Sequence, residues 1–200
     1  MKGRKPASRR GVNENEIKLA LPDAATARRL LRRAGFRVAK SRVFEANIVL
    51  DTPARDILNA GRLLRLRQVR AQGILTHKGP AQGGHRHKSR EEIETRLDDP
   101  ASAQRIFECL GYRPVFRYEK FRTEFHRAAE PGVAQIDETP IGVFLELEGP
   151  PRWVDRTARA LGFANSDYIL KSYGRLYIEF CEACGIAPQN MVFSRRAATS

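Results

Sequence analysis

Polar and apolar residues alternate with a period of two from the start of the recognisable pattern, ENEIKLAL. There Glu14, Glu16 and Lys18 fall on one side of an extended strand and Asn15, Ile17 and Leu19 on the other. Further strands are predicted in FEANIVLDT, RLLRLRQVR, GILTHKGP, KFRTEFHR, VAQIDET and VFLELEG. Between them the spacing becomes helical: Ala27, Leu30, Leu31 and Ala34 form one apolar stripe, and Ala103, Ile106, Phe107 and Leu110 form another. A third helix is expected over WVDRTARALGF and a fourth over SYGRLYIEFCEACG. Residues 79–91, GPAQGGHRHKSRE, read as a mobile loop rich in glycine and positive charge.

The pattern repeats. Residues 16–37 lie over residues 92–113 without a gap, pairing Glu16 with Glu92, Leu21 with Leu97, Asp23 with Asp99, Gly35 with Gly111 and Phe36 with Tyr112. Each copy reads strand, helix, then more strands. Asp99 is placed to cap a helix with Pro100 at its first position, and Gly35 and Gly111 suit the left-handed residue after a helix end. A duplicated unit of this kind predicts a pseudo-symmetric α+β domain whose sheet can close on itself. The expected organisation is one domain over residues 13–185, with a disordered basic tail at 1–12 and a C-terminal tail at 186–200.

Charged pairs recur on one face of nearly every strand. Arg65 and Arg67 flank Leu66, Thr76 and Lys78 share a face, Glu92 and Glu94 flank Ile93, and Glu146 and Glu148 flank Leu147. Lys120, Arg122 and Glu124 share a face, as do Gln135 and Asp137. An antiparallel sheet often leaves such a face in water. Here the charges are of both signs and the opposite face is apolar, so helices packed outside would turn the charges toward the axis of a barrel. Unpaired charges in a narrow lumen cost several kcal/mol each. A ligand that needs both signs relieves that cost: a polyphosphate takes Lys and Arg on its oxygens, and its divalent metal takes carboxylates. Glu14, Glu16, Glu146 and Glu148 are hard oxygen donors suited to Mg²⁺ or Mn²⁺, and Arg65, Arg67, Lys78 and Arg122 suit phosphate.

Composition sharpens this. The 200 residues are 42% hydrophobic, enough for one ordinary core, and carry a formal net charge of +13. An anionic partner is therefore expected. Some of the excess sits in the N-terminal stretch at Lys2, Arg4, Lys5, Arg9 and Arg10, which lacks the apolar segment of a secretory signal. No apolar run reaches a bilayer span, so a cytoplasmic protein without a membrane partner is expected. Cys109, Cys181 and Cys184 form no even-numbered disulfide framework, and the CxxC has no second pair for zinc.

The motif ENEIK resembles the ExExK signature of the CYTH superfamily, the triphosphate tunnel metalloenzymes. This group includes class IV adenylate cyclases, thiamine triphosphatases and inorganic triphosphatases. LRLRQ, the Lys of LTHKGP, REEIE, KFR, IDETPIGVFLELEG and LKSYGRLY resemble the later motifs in the same order, covering roughly residues 14–180. The resemblance implies an eight-stranded antiparallel β-barrel forming a tunnel, with Mg²⁺ or Mn²⁺ as cofactor and a small-molecule triphosphate as substrate. Carried onto matching positions, Glu14, Glu16, Glu146 and Glu148 would coordinate metal, with Asp137, Glu92 and Glu94 helping to hold metal or water. Lys18, Arg65, Arg67, Lys78, Lys120, Arg122 and Lys171 would hold phosphates.

Within that family, hydrolysis at the terminal phosphorus is favoured over cyclisation of ATP. Some bacterial cyclases share a His-Phe pair shortly before ExExK, and the stretch from Arg9 to Asn13 lacks it. A non-catalytic polyphosphate or RNA binder is a third reading, but RNA binding would show aromatics among exposed basic residues rather than paired acids. Nucleic acid is thus not the expected partner, and a monomer and a homodimer both remain open. His85 and His87 are read as loop residues, Trp153 as a packing residue, and Tyr173 as helix packing with an option of closing one end of the tunnel.

Overall fold

The computed structural model describes residues 9–81 and 87–194, except for the side chains of residues 9–14. Eight strands, β1 (Arg9–Leu21), β2 (Arg37–Asp51), β3 (Leu63–Val69), β4 (Gln72–Lys78), β5 (Lys88–Leu97), β6 (Arg113–His126), β7 (Val133–Thr139) and β8 (Gly142–Glu148), close into an antiparallel barrel. Their order around the ring is β1-β5-β4-β3-β2-β6-β7-β8. The helices are α1 (Ala24–Arg33), the short α2 (Asp56–Asn59), α3 (Pro100–Cys109), α4 (Pro151–Ala160) and α5 (Tyr173–Cys184). This is the α+β barrel that the alternation and the repeat predict.

The repeat is visible in the ring. β1-α1-β2 and β5-α3-β6 occupy equivalent places, and Glu14 pairs with Arg90, its own equivalent, so a pseudo-two-fold axis passes through that pair. Both copies carry the same punctuation. Asp23 accepts from the Thr26 amide at 2.7 Å and Asp99 from the Ser102 amide at 3.0 Å, capping α1 and α3. Gly35 at φ +83° and Gly111 at φ +92° then take the left-handed turn out of each helix, which a side chain would strain.

Packing explains which face of each strand looks inward. Ile17 and Leu19 of β1, Ala134 and Ile136 of β7, and Leu145 and Leu147 of β8 are fully buried beneath α1 and α4, where Ala27, Leu31 and Val154 meet them. Each such Leu or Ile contributes roughly 1.5–3 kcal/mol relative to exposure. Because successive side chains alternate, Glu16, Lys18, Gln135, Glu146 and Glu148 must then point into the barrel, and all five line its cavity. Trp153 is a packing residue: its ring lies so close to Gly132 that a Cβ there would come within 2.2 Å of it.

α3 covers less. It packs over β3 and β4 through Phe107, beside Leu64 and Leu66. Ile106 and Leu110, expected in its packing stripe, are 59% and 68% exposed. α3 presents only the Phe107 edge of that stripe to the sheet.

Some boundaries differ from expectation. β2 begins at Arg37 and β6 at Arg113, earlier than the alternation indicated. Residues 37–42 of β2 run mostly exposed beside the end of β6, so neither face is apolar and the period-two signal is lost. Residues 88–91 of the expected loop belong to β5. Residues 9–12 of the expected tail belong to β1, whereas residues 1–8 lie outside the described residues. Beyond residue 185 the chain lies along β6. The buried Met191 donates its amide to Arg117 O at 3.0 Å and accepts at its own carbonyl from Glu119 N at 2.9 Å.

Past Glu16, β5 no longer accompanies β1. The segment before α5 fills the gap, with Lys18 and Ile169 exchanging amide-to-carbonyl bonds of 3.0 and 2.9 Å. This brings the first turn of α5 across one end of the barrel. Tyr173 enters the lumen there.

Candidate active site

The barrel encloses a cavity of about 1050 Å³. In ring order the β7–β8 hairpin stands diametrically opposite the β3–β4 hairpin. The first contributes Gln135, Glu146 and Glu148, the second Arg65, Arg67 and Lys78. An acidic wall thus faces a basic one.

On the acidic side the strand register places Glu16 beside Glu148 and Lys18 beside Glu146. Lys18 Nζ lies 3.4 Å from Glu16 and 3.3 Å from Glu146, and Arg122 also pairs with Glu146. Burial works against the Glu16 carboxylate, but Lys18 and its neighbours outweigh it and hold its pKa at about 2. Glu148 is different. Burial raises its pKa, Arg122 opposes that only in part, and the adjacent Glu146 and Glu16 carboxylates push the same way as burial. Among the described residues Glu148 forms no ion pair, and it faces the cavity.

Asp137 anchors the cations. It is fully buried behind the wall and receives Arg122 Nε and Nη2 at 2.7 and 2.6 Å, Lys120 Nζ at 2.7 Å and the Tyr173 hydroxyl at 2.8 Å. With its oxygens taken by these donors, it orients Lys120 and Arg122 rather than presenting an oxygen to the lumen. That departs from its expected part in holding metal or water. Glu45 of β2 supports the same group, 3.6 Å from Lys120 and 3.6 Å from Arg67. Burial opposes the Glu45 charge, yet Lys120, Arg122 and Arg67 keep its pKa at about 2.

The basic side is crowded with its own sign. Arg65 donates to the Tyr118 hydroxyl and to Thr76 Oγ1, both at 3.2 Å, and Glu92 lies against Lys78 and 3.7 Å from Arg65. Burial and the neighbouring Arg65 lower the pKa of Arg67. Burial, with Lys18, Arg90 and Lys78 nearby, brings Lys88 down to about 8 despite Glu16 at 3.7 Å. Arg65 Nε and Arg90 Nε are buried with no hydrogen-bond partner among the described residues. Such donors call for an anion.

Most of the expected residues therefore meet in one place. Glu16, Lys18, Arg65, Arg67, Lys78, Glu92, Glu94, Lys120, Arg122, Glu146 and Glu148 all line the cavity. Glu92 and Glu94 do so on the basic side, engaged by Lys78 and by Thr76 Oγ1 at 3.2 Å respectively, and so stand apart from the acidic group. Glu14 sits in β1 with its side chain outside the described residues, and His85 lies outside them altogether. Lys171 does not reach the cavity. Its side chain is 54% exposed and pairs with Glu179 at 2.8 Å on the outer surface. Ser172, which caps α5, separates it from Tyr173, so one points out and the other in.

Reading the sequence missed several lining residues. Lys88 and Arg90 fall in the stretch that its glycines and charge predict as a loop, although the alternation of Lys88, Arg90, Glu92 and Glu94 extends β5 back to them. Glu45 was passed over in a strand that otherwise looked apolar. Tyr173 proves central: its ring lies 5.3 Å from both the Lys18 and the Lys120 ammonium groups.

A divalent cation fits the acidic wall. Glu16, Glu146 and Glu148 are hard donors on neighbouring positions of β1 and β8, and burial together with the adjacent carboxylates raises the pKa of Glu148. Among the described residues no three carboxylate, histidine or cysteine side chains are already gathered in a ligating cluster.

Comparison with known proteins agrees with the fold. A protein of Methanocaldococcus jannaschii named "putative adenylate cyclase" is 32% identical over 136 residues, covering 68% of this chain and 75% of that one. The structure of a Vibrio parahaemolyticus protein described in the same words superposes with a TM-score of 0.71 at 21% identity, over 83% of this chain and 98% of that one. A Hippeastrum protein, described as a "putative adenylyl cyclase" that reveals a dominant triphosphatase activity, superposes with a TM-score of 0.60 at 18% identity, over 88% and 98% of the two chains. Members of the matching family bind triphosphates and are generally metal-dependent. No helix among the described residues is long and apolar enough to cross a membrane. The CYTH domain family model matches residues 13–173, and the chain belongs to that family.

Proposed function

We propose that the protein hydrolyses a triphosphate in its barrel, with Mg²⁺ or Mn²⁺ on the acidic wall. One observation carries this reading: the lumen sets Arg65, Arg67 and Lys78 opposite Glu146 and Glu148, with Arg65 Nε and Arg90 Nε buried without a hydrogen-bond partner among the described residues and Glu148 without an ion pair among them. A polyanion with its cation relieves both at once.

Arg65, Arg67 and Lys78 hold phosphate oxygens from one side, and their forked or pointed donors fix the chain of phosphates along the lumen. Lys18 and Arg122, held in place by Glu146 and Asp137, face the same oxygens from the other side and neutralise charge that develops on the leaving phosphate. Glu16 and Glu148 hold the cation, with Glu14 as a further donor from β1. The bound cation supplies charge neutralisation and lowers the pKa of a water molecule. No side-chain nucleophile is required, and the protein contributes positioning and fixed charge.

Cyclisation of ATP is the second reading, favoured by the name of the Methanocaldococcus relative. The absence of a His-Phe pair between Arg9 and Asn13 and the dominant activity ascribed to the Hippeastrum protein favour hydrolysis. The test is to incubate the purified protein with tripolyphosphate, thiamine triphosphate and ATP in each metal, assaying phosphate, pyrophosphate and cyclic AMP together. Phosphate release is expected. Cyclic AMP with equimolar pyrophosphate would overturn the choice.

A further inference from the structure

His87, expected in a loop, immediately precedes β5 and does not line the cavity, whereas its neighbour Lys88 does. Successive side chains of an extended chain point to opposite faces, so the inward turn of Lys88 sends His87 out toward the helices. There His87 Nε2 lies 2.8 Å from Asp155 Oδ1 of α4, with the two side chains only 12% and 13% exposed. A carboxylate oxygen can only accept, so Nε2 carries the proton and donates. The same oxygen accepts from the Tyr168 hydroxyl at 3.2 Å, and the His87 and Tyr168 rings are 6.3 Å apart.

Asp155 is a firm post. Its neighbours in α4, Trp153, Val154 and Ala158, are buried against the barrel. The two groups it holds belong to the two segments that share one edge of β1. β5 runs along that edge as far as the pair of Glu16 with Lys88, and beyond it the stretch through Ile169 takes over, bonded to Lys18. His87 comes one residue before Lys88 and Tyr168 one before Ile169, so a single oxygen joins both segments near the changeover.

The start of β5 needs such a joint. β4 accompanies β5 only from Glu92 onward, with the Gly79 amide on Glu91 O at 2.9 Å. Among the described residues, Lys88, Ser89 and Arg90 are therefore laddered to β1 alone. Electrostatics also works against Lys88, because Lys18, Lys78 and Arg90 repel it and Glu16 at 3.7 Å compensates only in part. A lysine so placed is driven toward solvent, and its long stem gives it the reach to leave. Pinning His87 fixes the backbone at the entry of the strand, and with it the direction in which Lys88 leaves the chain.

Resting on the phosphate site of the triphosphatase reading, we infer that His87 is a positioning residue: through Asp155 it aims Lys88 into the lumen, where the ammonium takes a phosphate oxygen. Lys88 thereby carries the basic side of the cavity from β3 and β4 onto β5.

Calorimetry of the whole protein with tripolyphosphate, in EDTA so that no turnover intervenes, tests the coupling. Lys88→Met is expected to weaken binding about tenfold. His87→Phe, or His87→Ala where the larger ring disturbs folding, is expected to weaken it about fivefold. His87→Gln keeps an N–H donor for Asp155 and is expected to stay within about twofold of the unaltered protein. In the Lys88→Met background the His87 substitution is expected to add nothing, because the group it positions is gone. Deuterium exchange without ligand is expected to rise about tenfold at residues 88–91 in His87→Phe and to stay the same in β7 and β8. Full-strength binding by His87→Phe, a loss that persists in the Lys88→Met background, or unchanged exchange at residues 88–91 would each overturn the inference. Failure of the triphosphatase reading registers separately, as no phosphate released from any triphosphate with Mg²⁺ or Mn²⁺ while tripolyphosphate still binds.

Discussion

The β3–β4 and β7–β8 hairpins are built to one plan, each a strand of seven residues, a tight turn and a second strand of seven. Aligned position by position, their outward residues remain apolar at Leu66 and Ile136 and at Leu75 and Leu145. Their inward residues change sign or lose charge: Arg65 stands where Gln135 does, Arg67 where Asp137 does, Thr76 where Glu146 does and Lys78 where Glu148 does. The scaffold tolerates this because helices cover the outward faces of both hairpins, so folding fixes the outside and leaves the inside free to diverge. A repeat that folds alike on both sides has become a cavity with two poles.

The poles are joined at Lys120, which pairs with Asp137 on one side and Glu45 on the other. Lys120→Met removes the cation shared by both buried acids, leaving Asp137 to Arg122 and Tyr173 and Glu45 to Arg67, and should cost about 3–5 kcal/mol, read from urea denaturation. An unchanged midpoint would show that the two walls are held independently. Next in size, Glu148→Gln should lower turnover about 10²- to 10³-fold at saturating metal while metal-free tripolyphosphate binding changes little. Loss of metal-free binding instead would mean that the acidic wall also shapes the phosphate site.

Acid should dismantle both poles. Glu16 and Glu45 have pKa values near 2 in the folded protein against 4.5 ordinarily, so the unfolded chain binds more protons between those values. The stability they contribute is fully present above pH 4.5 and is lost as pH falls toward 2; Tm measured across that window should drop, and Glu45→Gln should flatten the slope. Lys88, near 8, works the other way on binding. Above pH 8 it is neutral in the free protein, so metal-free tripolyphosphate affinity should fall severalfold between pH 7 and 9, and less so in Lys88→Met. Smallest of all, Lys171→Ala should leave turnover within about twofold and stability within about 0.5 kcal/mol, since its pair with Glu179 is exposed.

The barrel was legible because alternation is a direct record of a two-faced strand and the repeat implied a sheet able to close on itself, while the count of eight strands came from the family resemblance. The acidic wall was legible for the same reason, since Glu16, Glu146 and Glu148 flank outward apolar residues that helices bury. Lys88 and Arg90 were not, because they follow a glycine-rich stretch and no apolar partner marks their strand until Ile93. The resemblance of LKSYGRLY to a family motif names Lys171 as a phosphate ligand, but the cap at Ser172 turns the chain between it and Tyr173. Asp137 shows a further limit. Sequence places a carboxylate on the correct face, whereas only the packing of Lys120, Arg122 and Tyr173 around it reveals that its oxygens are already spent.

Each strand pairs with both of its neighbours in a closed ring, so the described residues of the barrel hold no hinge about which its two halves can swing. Ligand capture must proceed by side-chain rearrangement and local adjustment at the ends, and the radius of gyration should be the same with and without a bound polyanion.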